Sequence, residues 1–357
     1  MVRGGKSARG RGGMFGHPYR NKPFPFDITL CADAFPSIKM ANDADAKLSE
    51  AILEAAKQLT PTDKERAELS DFVNKVKEII EKIRSTTDAD YLPGVVLEEV
   101  HEVGSYKKDT ALLESVASMG QKLCSELTGE NGVVSMVSRD FGLILTRKED
   151  KVRLLVSTVQ SNTAGLEKDL HLSYDVIAAN QAAIYHARCF EEFGSNAASQ
   201  VRPLVRVFKA MRRRFPGLEP INIWALESLT QYCIITTPSA APLSVGTSFK
   251  RVLSQLAAGI FLPGSSGLSD PVDHRYRLCD QLTYEDMDTA CSTAQTLLRI
   301  LCHGGVDKLL GKEDTIPDLA RDIVYMADVV VAPLEKAAGI DEDGNTIREE
   351  NEEEIEV

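Results

Sequence analysis

The sequence predicts an α+β fold with two lobes, a small mixed lobe that holds a sheet and a larger helical lobe. Apolar residues recur at helical intervals up to residue 83, valine-rich segments lie between residues 95 and 159, and helical periodicity dominates after Gly165. With 357 residues and 43% hydrophobic side chains, the chain can bury a core in each lobe. We predict that residues 24–170 form the mixed lobe and residues 171–335 form the helical lobe.

The mixed lobe is predicted to contain one long amphipathic helix and a few strands. Thr62 and Glu65 have the spacing of a capping box, and apolar residues on one helical face follow them: Leu69, Phe72, Val73, Val76, Ile79, Ile80 and Ile83. Residues 95–103 are rich in valine and end at Gly104-Ser105, which indicates a strand followed by a turn. Residues 142–146 and 152–159 are predicted to pair as a hairpin.

The helical lobe is predicted to contain five long helices. The first two cover residues 173–193 and 201–214, and the third begins near Ile223 beside the single tryptophan, Trp224. The fourth has an apolar face between residues 249 and 260 and ends at Pro263-Gly264. The fifth begins at Thr283, with Asp286 as its capping partner, and ends at Gly304-Gly305.

The two termini differ strongly in charge from each other and from the rest of the chain. Residues 1–23 are rich in arginine and glycine and residues 336–357 are acidic, and we expect both segments to be disordered. The formal net charge of −12 argues against a generally basic nucleic-acid-binding domain, so any RNA contact has to be local. In the leader, Arg3, Arg9 and Arg11 are candidates for such contacts, and a flexible solubilising leader is the alternative.

One predicted helix of the helical lobe carries a regular row of basic residues. Arg202, Arg206, Lys209 and Arg213 recur on one side of residues 201–214, whereas apolar residues line the other side. We predict that this row, which we call the basic stripe, faces outward and, with Arg212 and Arg214, contacts RNA phosphate or an acidic partner surface. An ordinary solvated face is the alternative.

Cysteine usage and hydropathy bear on the compartment of the protein. The seven cysteines include no Cys-x-x-Cys pair, so free thiols in a reducing compartment are expected. No apolar run is long enough to span a membrane, so we expect a soluble intracellular protein that has no membrane partner. His186 and Cys189 could form half of a metal site, but no second half follows, and we expect no metal and no catalytic residue there.

Several motifs resemble those of the DZF family, whose domains have a nucleotidyltransferase-like fold. The strand and turn that end in Val103-Gly-Ser-Tyr-Lys-Lys are similar to the opening motif of nucleotidyltransferases. The helical lobe carries the more specific runs in the family's order, beginning Arg214-Phe-Pro-Gly, Ala257-Ala-Gly-Ile, Thr293-Ala-Gln-Thr and His303-Gly-Gly. This resemblance implies a two-lobed fold without transferase activity and without a cofactor. It places a vestigial nucleotide pocket at Gly104, Ser105, Lys107 and Lys108.

The resemblance also implies a partner and a cellular role. We expect a stable heterodimer, formed through the helical lobe, with a subunit that carries double-stranded RNA-binding domains. RNA would be bound mostly through that complex. For the partner interface we favour Trp224, Phe261 and Leu262, since an apolar turn after a helix would otherwise expose hydrophobic area. A nuclear localisation and a role in transcription and RNA metabolism are expected, with shuttling to the cytoplasm left open.

One departure from the family concerns the metal-binding strand. In active members, an Asp-x-Asp or Asp-x-Glu pair on a strand after the Gly-Ser turn binds two magnesium ions. Here Thr110 leads directly into Ala111, so one central strand is expected to be missing. Either the mixed lobe is remodelled, or the sequence is an alternative transcript or a faulty gene model. Other acidic pairs, such as Asp286 and Asp288, lie in helices or linkers where the two carboxylates do not converge. An active template-independent nucleotidyltransferase is the alternative function.

Overall fold

The computed structural model describes residues 42–85, 98–108, 134–148, 150–162, 172–194, 197–237 and 241–312, with four short strands beyond residue 323. The helices are α1 (Asn42–Gln58), α2 (Asp63–Ser85), α3 (Gly104–Lys107), α4 (Tyr174–Gly194), α5 (Ala198–Arg214), α6 (Ile223–Ile235), α7 (Val245–Ala257), α8 (Tyr284–Cys302) and α9 (Val306–Leu310). The strands are β1 (Val134–Arg139), β2 (Gly142–Arg147), β3 (Asp150–Leu155), β4 (Val324–Met326), β5 (Val329–Val331), β6 (Gly339–Ile340) and β7 (Thr346–Ile347). The α+β fold predicted from the sequence is confirmed.

The mixed lobe consists of α2 packed against a three-stranded antiparallel sheet in the order β1-β2-β3. The capping box of α2 is present, because the Thr62 backbone N–H donates to the Glu65 carboxylate at 2.7 Å and the Glu65 N–H donates to Thr62 Oγ1 at 3.3 Å. The core of this lobe joins the apolar face of α2 to the sheet, and its buried members are Phe72, Val76, Ile79, Ile80, Val134 and Leu145. The single amphipathic stripe of α2 therefore covers one face of the sheet.

The β2–β3 hairpin is confirmed, although β3 ends at Leu155 and not at Val159. Strand β1, which pairs with β2, is not predicted from the sequence. Gly142 begins β2 with φ +143°, and a Cβ atom there would lie 2.2 Å from the Leu154 carbonyl oxygen. Only glycine therefore allows β2 to approach β3 this closely at the start of the ladder.

The predicted strand at residues 95–103 is wrong over its described part. Residues 98–103 have no regular secondary structure, and the chain enters the short helix α3 at Gly104, whose φ is +65°. Residues 95–97 lie outside the described residues. Val100 packs against the core of the mixed lobe without joining a ladder. Val100 is partly buried there, and contact with a core does not require strand pairing.

The helical lobe has one continuous core built from α1 and α5 to α8. Phe208 on α5 and Phe249 on α7 stack at its centre, with ring centroids 5.0 Å apart. Helix α1 also packs here, because Leu48 and Ile52 are buried in this core and Asp45 accepts hydrogen bonds of 2.7 Å from Ser244 and Thr247. The domain division at residue 170 stays a prediction, and α1 lies with the helical lobe although it precedes that point.

Helix α4 ties the sheet to the helical lobe. The Asn180 side chain donates to the backbone oxygens of Phe141 and Val156, at 2.8 and 2.7 Å, which are carbonyls at the open end of the hairpin. Near the other end of α4, the Gln231 side chain of α6 donates to the Phe190 oxygen at 3.1 Å. These bonds connect α4 to the hairpin near one end of the helix and to α6 near the other.

None of the described helices is long and apolar enough to cross a membrane. The described cysteines are all free thiols: Cys189, Cys233, Cys279, Cys291 and Cys302.

The predicted helices of the helical lobe are present with boundaries shifted by a few residues. The predicted capping box at the start of α8 is confirmed, because Thr283 and Asp286 exchange both hydrogen bonds.

We expect Thr283→Ala to lower the free energy of unfolding by about 1 kcal/mol, because the N-cap side chain satisfies a backbone donor of α8. Thr289→Ala, on the exposed face of the same helix, is the matched control and should cost less, since alanine is the better helix former. Urea unfolding of both variants measures the difference. Equal losses of stability in the two variants would contradict the capping assignment.

Candidate functional site

A cleft with a volume of about 640 Å³ lies between the mixed lobe and the helical lobe. Helix α2, residues 100–108 and β3 form one side, and α4, α5 and α6 form the other. Valines and other aliphatic residues cover the first side, among them Val73, Val76, Ile80, Val152 and Leu154. A depression of about 780 Å³ on the outside of α2 is larger, but all its lining residues come from that one helix, so it is open surface. The enclosed cleft is the candidate site.

A buried carboxylate lies at the bottom of the cleft between two buried ammonium groups. Glu227 on α6 is 1% exposed, and its two oxygens contact Lys108 Nζ at 2.5 Å and Lys209 Nζ at 2.7 Å. Lys108 follows the turn at Gly104, and Lys209 lies on α5, so three separate segments meet at this point. We call this group the Lys-Glu-Lys triad.

The charges of the triad depend on one another. Burial by itself would raise the pKa of Glu227, but the attraction of Lys209 and Lys108 and their hydrogen bonds outweigh it, so the pKa is lowered. Burial lowers the pKa of Lys209, which lies beside Lys108 and Arg206 as well as Glu227. One carboxylate is therefore shared by two lysine side chains.

The triad also holds the Gly-Ser turn against the helical lobe. The Lys209 ammonium donates to Ser105 Oγ at 3.1 Å, and Arg202 Nε donates to the backbone oxygen of Lys108 at 3.1 Å. Gly104, Ser105 and Lys108, three of the four residues predicted for a nucleotide pocket, line the cleft. Lys107 is exposed and is not among the lining residues. Helix α5 thus positions the turn through two of its basic side chains.

An aromatic wall lies next to the triad. The His186 and Trp224 rings are stacked, with centroids 4.1 Å apart and planes inclined by 13°. Trp224 Nε1 donates to Asp270 at 2.9 Å, and Lys108 Nζ lies 4.8 Å from the centroid of the Trp224 ring. The indole is therefore held by a hydrogen bond on its edge and by a cation on its face.

His186 is neutral near pH 7 because of its surroundings. Burial is the main cause that lowers its pKa from 6.5 to about 4, and the attraction of Asp270 opposes this shift while Lys108 adds to it. The half-metal site suggested by His186 and Cys189 therefore has another explanation, since the imidazole stacks on Trp224. No group of three or more potential metal ligands occurs in the part of the chain that the structure describes.

Basic residues predominate in the lining of the cleft. Its described lining holds seven lysines and arginines, Lys77, Lys108, Lys151, Arg153, Lys209, Arg212 and Arg213. The same lining holds two carboxylates, Glu102 and Glu227. Lys77 Nζ contacts Glu102 at 2.5 Å, so each of these carboxylates is paired with lysine. The cleft is thus strongly cationic although the whole chain has a net charge of −12.

The expectation that the basic stripe of α5 faces outward is wrong for its two central members. Arg206 and Lys209 are buried, at 6% and 5% exposure, because α1 and α6 pack on the sides of α5 where solvent was expected. Arg202 is half-buried and pairs with Glu191, and Arg213 alone of the four is exposed. RNA binding by these residues stays a prediction, and Arg213 is the member that solvent can reach.

The expected apolar surface at Phe261 is also wrong. Phe261 is 3% exposed and belongs to the core of the helical lobe, and Leu262 is half-buried against that core. Trp224 faces the cleft. The turn after α7 folds back onto its own lobe because Gly259, with φ +79°, reverses the chain direction. Contact of these three residues with a partner stays a prediction.

Sequence reasoning missed Glu227, the residue on which the site depends. A signal was present, because Glu227 is the single charged residue in the largely apolar helix α6. A carboxylate in an apolar helix indicates a buried ion pair, since an isolated buried charge is too costly. The partners Lys108 and Lys209 could not be identified without the tertiary structure.

Comparison with known protein families matches two segments of the chain, and each contributes residues to the cleft. Residues 15–119 match the family model of the DZF N-terminal domain, and residues 200–332 match that of the DZF C-terminal domain. Together these segments cover two thirds of the chain. The chain belongs to the DZF family. The N-terminal match contributes Lys108, and the C-terminal match contributes Lys209, Glu227 and Trp224.

In this DZF protein the triad therefore joins the two matched segments, whereas the sheet and His186 lie between them in sequence. The mixed and helical lobes form the nucleotidyltransferase-like α+β fold of the family. Arg3, Arg9, Arg11 and the Thr110-Ala111 junction lie outside the described residues. Because this junction lies outside the described residues, the absence of one central strand stays a prediction.

We expect Glu227→Gln to lower the free energy of unfolding by about 3–5 kcal/mol, because it leaves two buried ammonium groups without a counter-charge. Glu191→Gln removes the half-exposed pair with Arg202 and should cost less than about 1 kcal/mol. Urea unfolding at pH 7 compares the two variants. Similar losses would contradict the central role of the triad.

The low pKa of His186 predicts a loss of stability in acid. Between the ordinary value of 6.5 and the folded value of about 4, the unfolded chain binds more protons, so stability falls as pH falls through this window. Relative to His186→Phe, the wild type should lose on the order of 2 kcal/mol more between pH 7 and about 4.5. Unfolding curves at both pH values measure this, and equal losses would show that His186 titrates normally.

Proposed function

We propose that this DZF protein is a noncatalytic subunit of a nuclear RNA-binding heterodimer, of the interleukin enhancer-binding factor 2 type. Its partner would be a subunit of the interleukin enhancer-binding factor 3 type that carries double-stranded RNA-binding domains. The complex would act in transcription and RNA metabolism and could shuttle to the cytoplasm. The observation that carries the noncatalytic assignment is that both carboxylates lining the described cleft are ion-paired with lysine.

Nucleotidyl transfer by this fold would require carboxylates that hold divalent cations against the triphosphate. In the cleft, Glu227 is shared by two lysines and Glu102 is paired with Lys77. Recruiting Glu227 to a magnesium ion would place that ion beside two buried ammonium groups, which opposes binding electrostatically. The described lining thus supplies cations where a two-metal reaction needs anions. This balance supports a subunit that does not transfer nucleotides.

The charge of the chain supports RNA binding mainly through the partner. A net charge of −12 repels a polyanion at long range, so the protein alone is expected to bind RNA weakly. Its own contribution would come from the arginines of the leader and from exposed cations such as Arg213.

We assign dimerisation to the helical lobe because of the family resemblance. Trp224, Phe261 and Leu262 remain the proposed interface residues, with Phe261 acting through the shape of the turn because its side chain is buried.

We expect no primer extension when the purified chain is incubated with an RNA primer, labelled nucleoside triphosphates and Mg²⁺ or Mn²⁺. The reason is that paired carboxylates cannot hold the two ions that stabilise the transferring phosphoryl group. A template-independent polymerase under the same conditions is the positive control. Extension that persists in independent preparations would favour the alternative, an active template-independent nucleotidyltransferase.

A further inference from the structure

Strand β3 presents one of its two edges to the cleft. Among the described strands it pairs with β2 alone. Five consecutive residues of β3, residues 151–155, line the cleft. Because neighbouring side chains of a strand point to opposite faces, this uninterrupted run means that the cleft borders the edge of the strand and not one of its faces. Residues 100–103 line the same side of the cleft, but they have no regular secondary structure and form no ladder with β3.

The register of the hairpin shows which backbone groups lie on this edge. The Val156 N–H donates to the Phe141 oxygen at 3.3 Å, and hydrogen-bonded pairs recur at every second residue of an antiparallel ladder. Val152 and Leu154 therefore exchange their backbone hydrogen bonds with β2. The backbone N–H and C=O groups of the alternate residues point away from β2, and these residues are Lys151, Arg153 and Leu155. The edge can thus pair with a further strand.

The two faces of β3 differ in character beside this edge. Val152 and Leu154 pack on the core of the mixed lobe, next to the aliphatic residues of α2. Lys151 and Arg153 alternate with them and are exposed. A strand that pairs here would therefore be stabilised by apolar side chains on one face and by carboxylates on the other.

One segment of the chain has this alternation. Residues 349–357, which we call the acidic segment, read Glu-Glu-Asn-Glu-Glu-Glu-Ile-Glu-Val and lie outside the described residues. In an extended conformation, Glu354 and Glu356 share one face and Ile355 and Val357 share the other. This pattern is complementary in charge and hydropathy to the Lys-Val-Arg-Leu sequence that begins β3 after Asp150.

The connection between the described helical lobe and the acidic segment is long. Strand β5 packs against α8. Apart from residues 339–347, which hold β6 and β7, 13 residues separate β5 from Glu354, seven at 332–338 and six at 348–353. When extended, these residues span about 43 Å, roughly twice the radius of gyration of a folded chain of this length. A tether of this length is compatible with pairing inside one molecule.

We propose that residues 354–357 pair with the outer edge of β3 as a further strand of the sheet and thereby occupy the cleft, with Glu354 and Glu356 beside Lys151 and Arg153. The acidic segment is too polar to fold by itself, so it becomes ordered through this pairing. The cleft thus accepts an acidic and apolar strand of the protein itself. This role is independent of the noncatalytic assignment.

Hydrogen exchange of the β3 amides in the full-length chain tests the pairing. The outward N–H groups of Lys151 and Arg153 should exchange at least about fivefold more slowly in the wild type than in Glu354→Lys/Glu356→Lys, because the added strand accepts their hydrogen bonds. The matched control, Glu349→Lys/Glu350→Lys, makes the same charge change outside the alternating residues and should retain the protection. Equal exchange in all three proteins would overturn the proposal, and equal loss of protection in both variants would reduce the effect to net charge and refute it.

A charge swap tests which side chains face each other. Lys151→Glu/Arg153→Glu should also lose the protection, and its combination with Glu354→Lys/Glu356→Lys should restore it, because opposite charges are again adjacent. The Val152 and Leu154 amides, which bond to β2, report whether the hairpin is folded in each variant. If the hairpin is folded and the combined variant remains unprotected, the proposed pairing of charges is wrong.

Carbodiimide coupling separates pairing within one chain from pairing between two copies. The reagent joins the Lys151 amine to a nearby carboxylate as an amide, with loss of water. We expect Lys151 to be linked to Glu354 or Glu356 in the monomeric product, with a yield that does not depend on protein concentration. Links found only in covalent dimers would assign the strand to a second copy and overturn pairing within the chain, and the absence of both links would contradict the docking of the acidic segment.

Discussion

The ion triad formed by Lys108, Glu227 and Lys209 is the constraint on which the arrangement of the cleft depends. A buried carboxylate is tolerated only when it is paired, so Glu227 requires both lysines to be present and correctly placed. One lysine follows the Gly-Ser turn and the other lies on α5. The triad therefore fixes the distance between the turn and the helical lobe, and it does so more specifically than apolar packing, which tolerates sliding.

The elements that could be predicted from the sequence were those set by local periodicity and capping. The face of α2, the β2–β3 hairpin and the capping boxes at Thr62 and Thr283 depend on neighbouring residues and are present. Periodicity shows that two faces of a helix differ, but it does not show what covers each face. The basic stripe of α5 was misjudged for this reason, because α1 joins the helical lobe and Glu227 neutralises Lys209.

The cleft itself could be predicted only in part. The Gly-Ser turn and Lys108 were identified through the family resemblance, and all line the cleft. Glu227, His186 and Asp270 were not assigned to it, because their roles depend on side chains that meet from distant segments. The imidazole is neutral because burial outweighs the attraction of Asp270, and the indole is oriented by the same aspartate. The pKa of His186 and the orientation of the Trp224 ring depend on the tertiary structure, and no local sequence pattern indicates them.

Stability alone does not explain why the Lys-Glu-Lys triad occupies the interior. Replacing a buried ion group by well-packed apolar residues is often neutral or stabilising, so a fold selected only for stability has no need of it. The triad is, moreover, adjacent to the enclosed cleft, and Ser105 and Trp224 contact its lysines there. In an active two-metal enzyme the corresponding space requires negative side chains that attract cations, whereas most of the charged residues in the described lining of this cleft are basic. Basic side chains repel divalent cations, so the charge of the described lining is the physical basis on which a noncatalytic role is proposed.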